Sequence, residues 1–104
     1  MDKSEVIEKT RTFASSLPSN LNLSEVVLYG SWVDGSPSEE SDIDIAVVVK
    51  ELKSDYLNLL TKLYYLASTI DIRIEPLLFE ENKDDSGFLE EILKRGEIVY
   101  RDEV

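Results

Sequence analysis

The chain has 104 residues, a net charge of −11 at pH 7, 42% hydrophobic residues, and neither Cys nor His. The length fits one domain over residues 1–104, and the acidity excludes a bare electrostatic binder of DNA or RNA, which needs positive charge to release phosphate counterions. The missing Cys and His exclude disulfides, thiol catalysis, zinc-finger sites and histidine general acid–base work.

In chain order, Ser4 reads as an N-cap. Val6, Ile7, Thr10, Phe13, Ala14 and Leu17 then recur at helical spacing, and Pro18 ends the helix. Val26-Val27-Leu28-Tyr29 is a buried strand running into Gly30. Residues 30–41 carry Gly, Ser, Pro and acids and read as a loop. Asp42–Val49 is a second strand. Ser54 or Asp55 opens a helix with Tyr56, Leu59, Leu60, Leu63 and Leu66 on one face. Ile70–Glu75 alternates strictly and reads as a third strand, with Pro76 ending it. Residues 80–86 form an acidic loop. Phe88, Leu89, Ile92 and Leu93 stripe a third helix, with Lys94 and Arg95 at its C-terminal end and Gly96 at C′. Ile98-Val99-Tyr100 is a last short strand. Strands interleaved with helices predict an α+β (α/β) fold: a small mixed sheet with helices on one face and polar residues on the other. The longest uninterrupted apolar run is Ile45–Val49, too short to span a membrane. The acidic start, Met1-Asp2-Lys3-Ser4-Glu5, lacks a signal-peptide block, so a cytoplasmic location is expected.

The chemistry concentrates between Tyr29 and Asp44. A buried strand ends in Gly30-Ser31, a second glycine follows at Gly35, and the next strand opens with Asp42-Ile43-Asp44. Alternate strand residues share a face, so Asp42 and Asp44 point together, about 7 Å apart, while Ile43, Ile45, Val47 and Val49 enter the core. Two ionised carboxylates so placed repel unless a cation sits beside them. Mg²⁺ suits them, because it takes carboxylates plus substrate phosphate oxygens. On the third strand Asp71, Arg73 and Glu75 share the polar side, and Asp71 joins Asp42 and Asp44 if the two strands are neighbours. Three convergent carboxylates on strands make a two-metal phosphoryl-transfer site. Gly30 and Gly35 let the backbone approach a ligand, and the Ser31 hydroxyl with main-chain N–H groups can cradle phosphates. The loop is not a Walker loop, which needs Gly-Lys-Ser/Thr. Nor does 34–44 have EF-hand spacing.

Gly30-Ser31, ten residues, then Asp42-x-Asp44, with Asp71 downstream in Ile70-Asp71-Ile72-Arg73, resembles the nucleotidyltransferase superfamily that includes DNA polymerase beta and kanamycin nucleotidyltransferase. The resemblance covers residues 26–76, and the small size matches the minimal nucleotidyltransferases of bacteria and archaea. It implies an enzyme moving a nucleoside monophosphate, AMP from ATP, to a hydroxyl acceptor with release of pyrophosphate. It implies that Asp42 and Asp44 hold two Mg²⁺ ions and that Asp71 completes one site, with Glu75 as the alternative third ligand on the same face. Gly30, Ser31 and Gly35, with Ser41 and Arg73, would hold the phosphates. Arg73 can equally pair with Asp71 or Glu75. Ser41 has no base beside it and is no nucleophile.

Two departures stand out. The residue before the second glycine is often basic in this family and here is Asp34, so either Arg73 or Lys50 compensates or nucleotide binding is weak. The chain also lacks room for an acceptor-binding domain, so a partner or a second copy in a homodimer would supply that surface. Minimal nucleotidyltransferases commonly pair with helical HEPN-domain proteins, some as toxin–antitoxin systems, in which the nucleotidyltransferase-like member can adenylylate its partner. The rival reading is a protein-binding antitoxin that covers such a partner with weak or no catalysis. Trp32, Tyr56, Tyr64 and Tyr65 are read as packing or partner-contact residues, and Glu80, Glu81, Asp84 and Asp85 as a solvated loop.

Overall fold

The computed structural model describes residues 1–35, 37 and 41–102. Positions 36 and 38–40, inside the loop between Gly30-Ser31 and Asp42, lie outside the described residues.

Helix α1 (Lys3–Ser16) is capped by Asp2, whose carboxylate accepts from the Glu5 amide at 2.9 Å; Ser4 lies inside the first turn and is not the cap. An aspartate serves as well as a serine there, because either oxygen satisfies an orphan N–H. Val6, Thr10 and Phe13 are buried, and the Thr10 hydroxyl donates to the Val6 carbonyl at 2.8 Å, so its polarity is satisfied inside the helix. A 3₁₀ turn (Ser19–Leu21) leads into strand β1 (Leu23–Tyr29). The loop after it begins with a one-turn helix, α2 (Ser31–Asp34). Strand β2 (Ile43–Val49) follows, then helix α3 (Tyr56–Ser68), capped by Asp55. Strand β3 (Ile74–Glu80), helix α4 (Phe88–Arg95) and strand β4 (Glu97–Arg101) complete the chain. Gly96 ends α4 in extended backbone; the left-handed glycine is Gly87, at the other end.

The sheet order is β3-β2-β1-β4. β1 runs antiparallel to β2 and β4, while β2 and β3 are parallel, joined over α3. β2 is central, and of its seven residues only Asp44 is not fully buried. A near-continuous apolar run is what a strand covered on both faces requires. Ile43, Ile45, Val47 and Val49 face α1 and α3, in a core with Phe13, Leu28 and Leu63. On the other face Ala46 packs with Val27 and Ile92 of α4, flanked by Tyr29, Phe79 and Leu93. Two helices thus cover one face, and α4 shares the second face with the carboxylates. Phe13 is fully buried at the centre of the larger cluster. Phe13→Ala is expected to cost about 3–5 kcal/mol, the range for emptying an aromatic core position, read as a lower urea midpoint with unchanged m-value.

The third strand departs from the sequence reading. Residues 70–73 form a turn, and the strand runs Ile74–Glu80. Ile72, expected in the core, is 87% exposed. Pro76 sits inside the strand because β3 is an edge strand, paired with β2 alone, where a missing N–H can be tolerated. Among the described residues no helix is long and apolar enough to cross a membrane.

Candidate active site

The strand register builds the site. Tyr29 of β1 pairs with Asp44 of β2, and Asp44 pairs with Glu75 of β3. These three side chains make one row across the face that α4 shares. Asp42 lies two residues before Asp44 and is exposed, as is Glu75, while Asp44 is half-buried. Burial, then the charges of Glu75 and Asp42, push the Asp44 carboxyl above the ordinary aspartate value. Tyr29, half-buried, is pushed up by burial and then by Asp44 and Glu75. Tyr64 of α3 feels Glu75, Asp42 and Asp44 as well; burial raises it first and the three acids add to that. The row is thus a concentrated negative site that strains its own ionised form.

Gly30 closes the site from β1. It adopts φ 81°, ψ −151°, and a Cβ there would stand 2.3 Å from the Asp44 carboxylate oxygen. Glycine is therefore needed for two reasons: its backbone conformation and its closeness to Asp44. The Gly30 carbonyl accepts from the Val33 and Asp34 amides at 3.0 and 2.9 Å, and the Gly35 amide donates to the Ser31 carbonyl at 3.2 Å. This tight turn sets Ser31 directly after the glycine that touches Asp44. Gly35 has φ 90° and an open surround.

Asp71 is not on the row. It lies in the turn before β3, with its side chain 7% exposed. Arg73 donates to it from Nε at 2.9 Å and from its guanidinium at 2.7 Å, and Lys9 of α1 donates at 2.5 Å. These partners, Arg73 first, hold the Asp71 carboxyl well below the ordinary aspartate range. The expectation that Asp71 shares a strand face with Asp42 and Asp44 is corrected: the strand begins three residues later, and Glu75 reaches Asp44. Asp71 is held by two cations of this chain, which is the opposite of an open metal ligand. Arg73 is correspondingly engaged with Asp71. Lys50, at the far end of β2, pairs with Asp102. Asp34 is exposed at the end of α2. Ser41 precedes β2 and is partly buried.

The donor set fits magnesium in kind. Among the described residues no three acidic side chains are gathered into a ready-made metal cage. Mg²⁺, however, is usually held by one or two carboxylates with substrate phosphates and water completing its shell. Asp44 and Glu75 at adjoining register positions, with Asp42 beside them, are donors of that kind. The sequence reading missed Tyr29 and Phe88. Phe88, 47% exposed, stands edge-on to Tyr29 at 6.1 Å and to Phe79 at 6.0 Å, bordering the row. The one signal for Tyr29 was its place immediately before Gly30.

Comparisons with known proteins bear on the fold and the family. A "Putative protein adenylyltransferase" of Methanocaldococcus jannaschii is 32% identical over 98 residues, covering 88% of this chain and 96% of the relative. A solved "putative nucleotidyltransferase" from Sulfolobus solfataricus superposes with a TM-score of 0.64 at 25% identity, over 97% of this chain and 85% of that one. A chain of the complex between a tri-AMPylated Shewanella oneidensis HEPN toxin and an MNT antitoxin matches with a TM-score of 0.55 at 21% identity, over 96% and 70% of the two chains. The family model for the polymerase beta nucleotidyltransferase domain matches residues 11–103. The chain therefore belongs to the polymerase beta nucleotidyltransferase family and is an enzyme of the nucleotidyltransferase class.

Proposed function

We propose that this protein is a Mg²⁺-dependent adenylyltransferase that moves AMP from ATP to a hydroxyl group of a HEPN-type helical protein. The observation that carries the proposal is the row Asp44–Glu75 with Asp42 beside it, closed by a glycine that leaves no room between Gly30 and Asp44. The M. jannaschii relative's name and the AMPylated toxin in the S. oneidensis complex support the choice of AMP and of the acceptor class.

In this reading Asp42, Asp44 and Glu75 hold two Mg²⁺ ions. Bound there, the ions would acidify the acceptor hydroxyl and offset charge on the departing pyrophosphate. The chain's own part is positional. Gly30, Ser31 and Gly35 seat the triphosphate by main-chain N–H groups and the Ser31 hydroxyl. Ser41 borders that seat at the entry to β2. The acceptor oxygen bonds to the α-phosphorus, the α–β anhydride bond breaks, and the hydroxyl proton leaves to solvent. Carboxylates fixed on adjacent strands keep the geometry rigid while this happens.

The test is transfer of labelled AMP to a purified HEPN-type protein, located by mass spectrometry. Asp42→Asn and Glu75→Gln should each reduce labelling at least about 100-fold with folding intact, in line with loss of a group that stabilises transition-state charge. Full labelling by Glu75→Gln would remove Glu75 from the site.

A second reading, a partner-covering antitoxin without catalysis, is favoured by one feature: Asp34 sits where the resemblance expects a base, and Arg73 and Lys50 are paired elsewhere. It predicts a stable complex with the HEPN-type protein that Asp42→Asn leaves unchanged, and no calorimetric binding of ATP with Mg²⁺.

A further inference from the structure

The site described above leaves one well-made feature unused. Asp71 is nearly buried, and both its carboxylate oxygens are engaged. Oδ1 accepts from the Arg73 backbone N–H and from Arg73 Nε, each at 2.9 Å. Oδ2 accepts from the Arg73 guanidinium at 2.7 Å and from Lys9 at 2.5 Å. The Asp71 backbone is fixed as well. Its N–H donates to the Ala67 carbonyl at 3.0 Å, at the end of α3, and its carbonyl accepts from the Ile74 amide at 3.1 Å, at the start of β3.

The residue that Asp71 grips makes the first contact with β2. The Arg73 carbonyl accepts from the Ile43 amide at 2.8 Å, and Ile43 lies between Asp42 and Asp44. From that bond onward the parallel register runs Ile43 to Ile74 and Asp44 to Glu75. A slip of two residues would keep isoleucines in the core but set Arg73 opposite Asp44 and carry Glu75 on to Ala46. The sequence leaves a slip open, because Ile70, Ile72 and Ile74 alternate equally well and would serve as the buried face of a strand started too early. The Asp71 turn stops the strand from starting there. We infer that Asp71 is a positioning residue: through the Arg73 main chain it fixes the register in which Glu75 meets Asp44. The inference rests on the proposed carboxylate site.

A purely structural role would act differently. Lys9 ties the Asp71 turn to α1, whereas Arg73 ties it to β2. Lys9→Met removes the first tie and keeps the second. Asp71→Asn keeps an oxygen for the Arg73 N–H, and Asp71→Ala keeps none. The experiment compares these three with the wild type in two readouts, well below every melting midpoint. One is amide hydrogen exchange of the metal-free protein at Ile43 against Val47, which sits deep in β2. The other is kcat and KM for ATP in AMP transfer.

Asp71→Ala should lose protection at Ile43 but not at Val47. Its kcat should fall about 10–100-fold, the usual cost of removing a residue that orients a ligating group, with KM for ATP changed less than about threefold. Asp71→Asn should recover most of both. Lys9→Met should lower the melting midpoint and leave Ile43 protection and kcat as in the wild type. Should Asp71→Ala not fold, Arg73→Leu loosens the same grip and is read by exchange at Ile43 alone. Unchanged Ile43 protection in that variant, or in a folded Asp71→Ala, overturns the inference. So does Asp71→Ala turnover within twofold of wild type while Glu75→Gln is inactive; the site then stands and only the positioning role falls. Full activity of Glu75→Gln sinks the site reading and the inference with it.

Discussion

Asp44→Asn is expected to abolish AMP transfer and, at the same time, to make the metal-free protein more stable. The carboxylate is half-buried beside Glu75 and Asp42, which push its proton affinity up. The amide keeps the shape and removes the repulsion. Opposed like charges on neighbouring strands are unfavourable by about 0.2–1 kcal/mol, and a gain of 1 kcal/mol raises Tm by roughly 4–8 °C in a domain near this size. Activity should fall by at least about 10³-fold, equivalent to roughly 4 kcal/mol of barrier. Differential scanning calorimetry and the transfer assay check the two halves. A variant both less stable and fully active would contradict this account of the site.

The same group sets a pH dependence. Because its folded affinity for the proton is raised, Asp44 penalises the metal-free fold at neutral pH. That penalty is relieved as pH falls through its raised folded pKa towards the ordinary aspartate value of 3.8. Asp71 works in the other direction. Its folded affinity is lowered, so its stabilisation is fully present above 3.8 and is lost progressively below it. Metal-free stability should therefore rise on acidification from neutral and then drop. In Asp44→Asn the rise should shrink and the drop persist, as urea midpoints across pH would show.

Gly30→Ala is expected to be the most damaging small substitution in the loop. The backbone at φ 81°, ψ −151° is essentially closed to a side chain, which alone costs about 1–3 kcal/mol. The added methyl would also stand 2.3 Å from an Asp44 oxygen, so the carboxylate or the loop must move. Loss of Mg²⁺-dependent ATP binding by calorimetry should accompany the loss of stability. Gly35→Ala is the control for stability. Its φ of 90° is also unfavourable, yet nothing lies within 4 Å of the new methyl, so about 1–2 kcal/mol is expected. Equal stability losses in the two variants would mean that contact with Asp44 contributes nothing.

Much of this was legible in the sequence because the informative features are local. A continuous apolar run marks β2 as central, Gly30-Ser31 marks the end of β1, and Asp42-x-Asp44 marks one face of a strand. Helices α1, α3 and α4 announce themselves by spacing. What failed was the start of β3, and with it the placing of Asp71 on the strand face of Asp42 and Asp44. Ile70 to Ile74 carries a period-two pattern indistinguishable from a strand, and Pro76 looks like a terminator. Only the tertiary context resolves the ambiguity: Lys9, 62 residues earlier, and Arg73 hold Asp71 in a turn, and the edge position excuses the proline. The short helix α2 was hidden because four residues are too few to show a period.

Trp32 is the only tryptophan in the chain, 5% exposed on α2, one residue past Ser31. Its indole N–H is buried with no hydrogen-bond partner among the described residues. The molecule thus carries a single tryptophan fluorophore, separable from its five tyrosines by excitation at the red edge of the absorption band and seated in an apolar surround beside Gly30-Ser31. Its emission should lie to the blue of free tryptophan. Any rearrangement of Gly30 and Ser31 around a ligand would be read out optically at one known position, on the unlabelled wild-type chain and in real time.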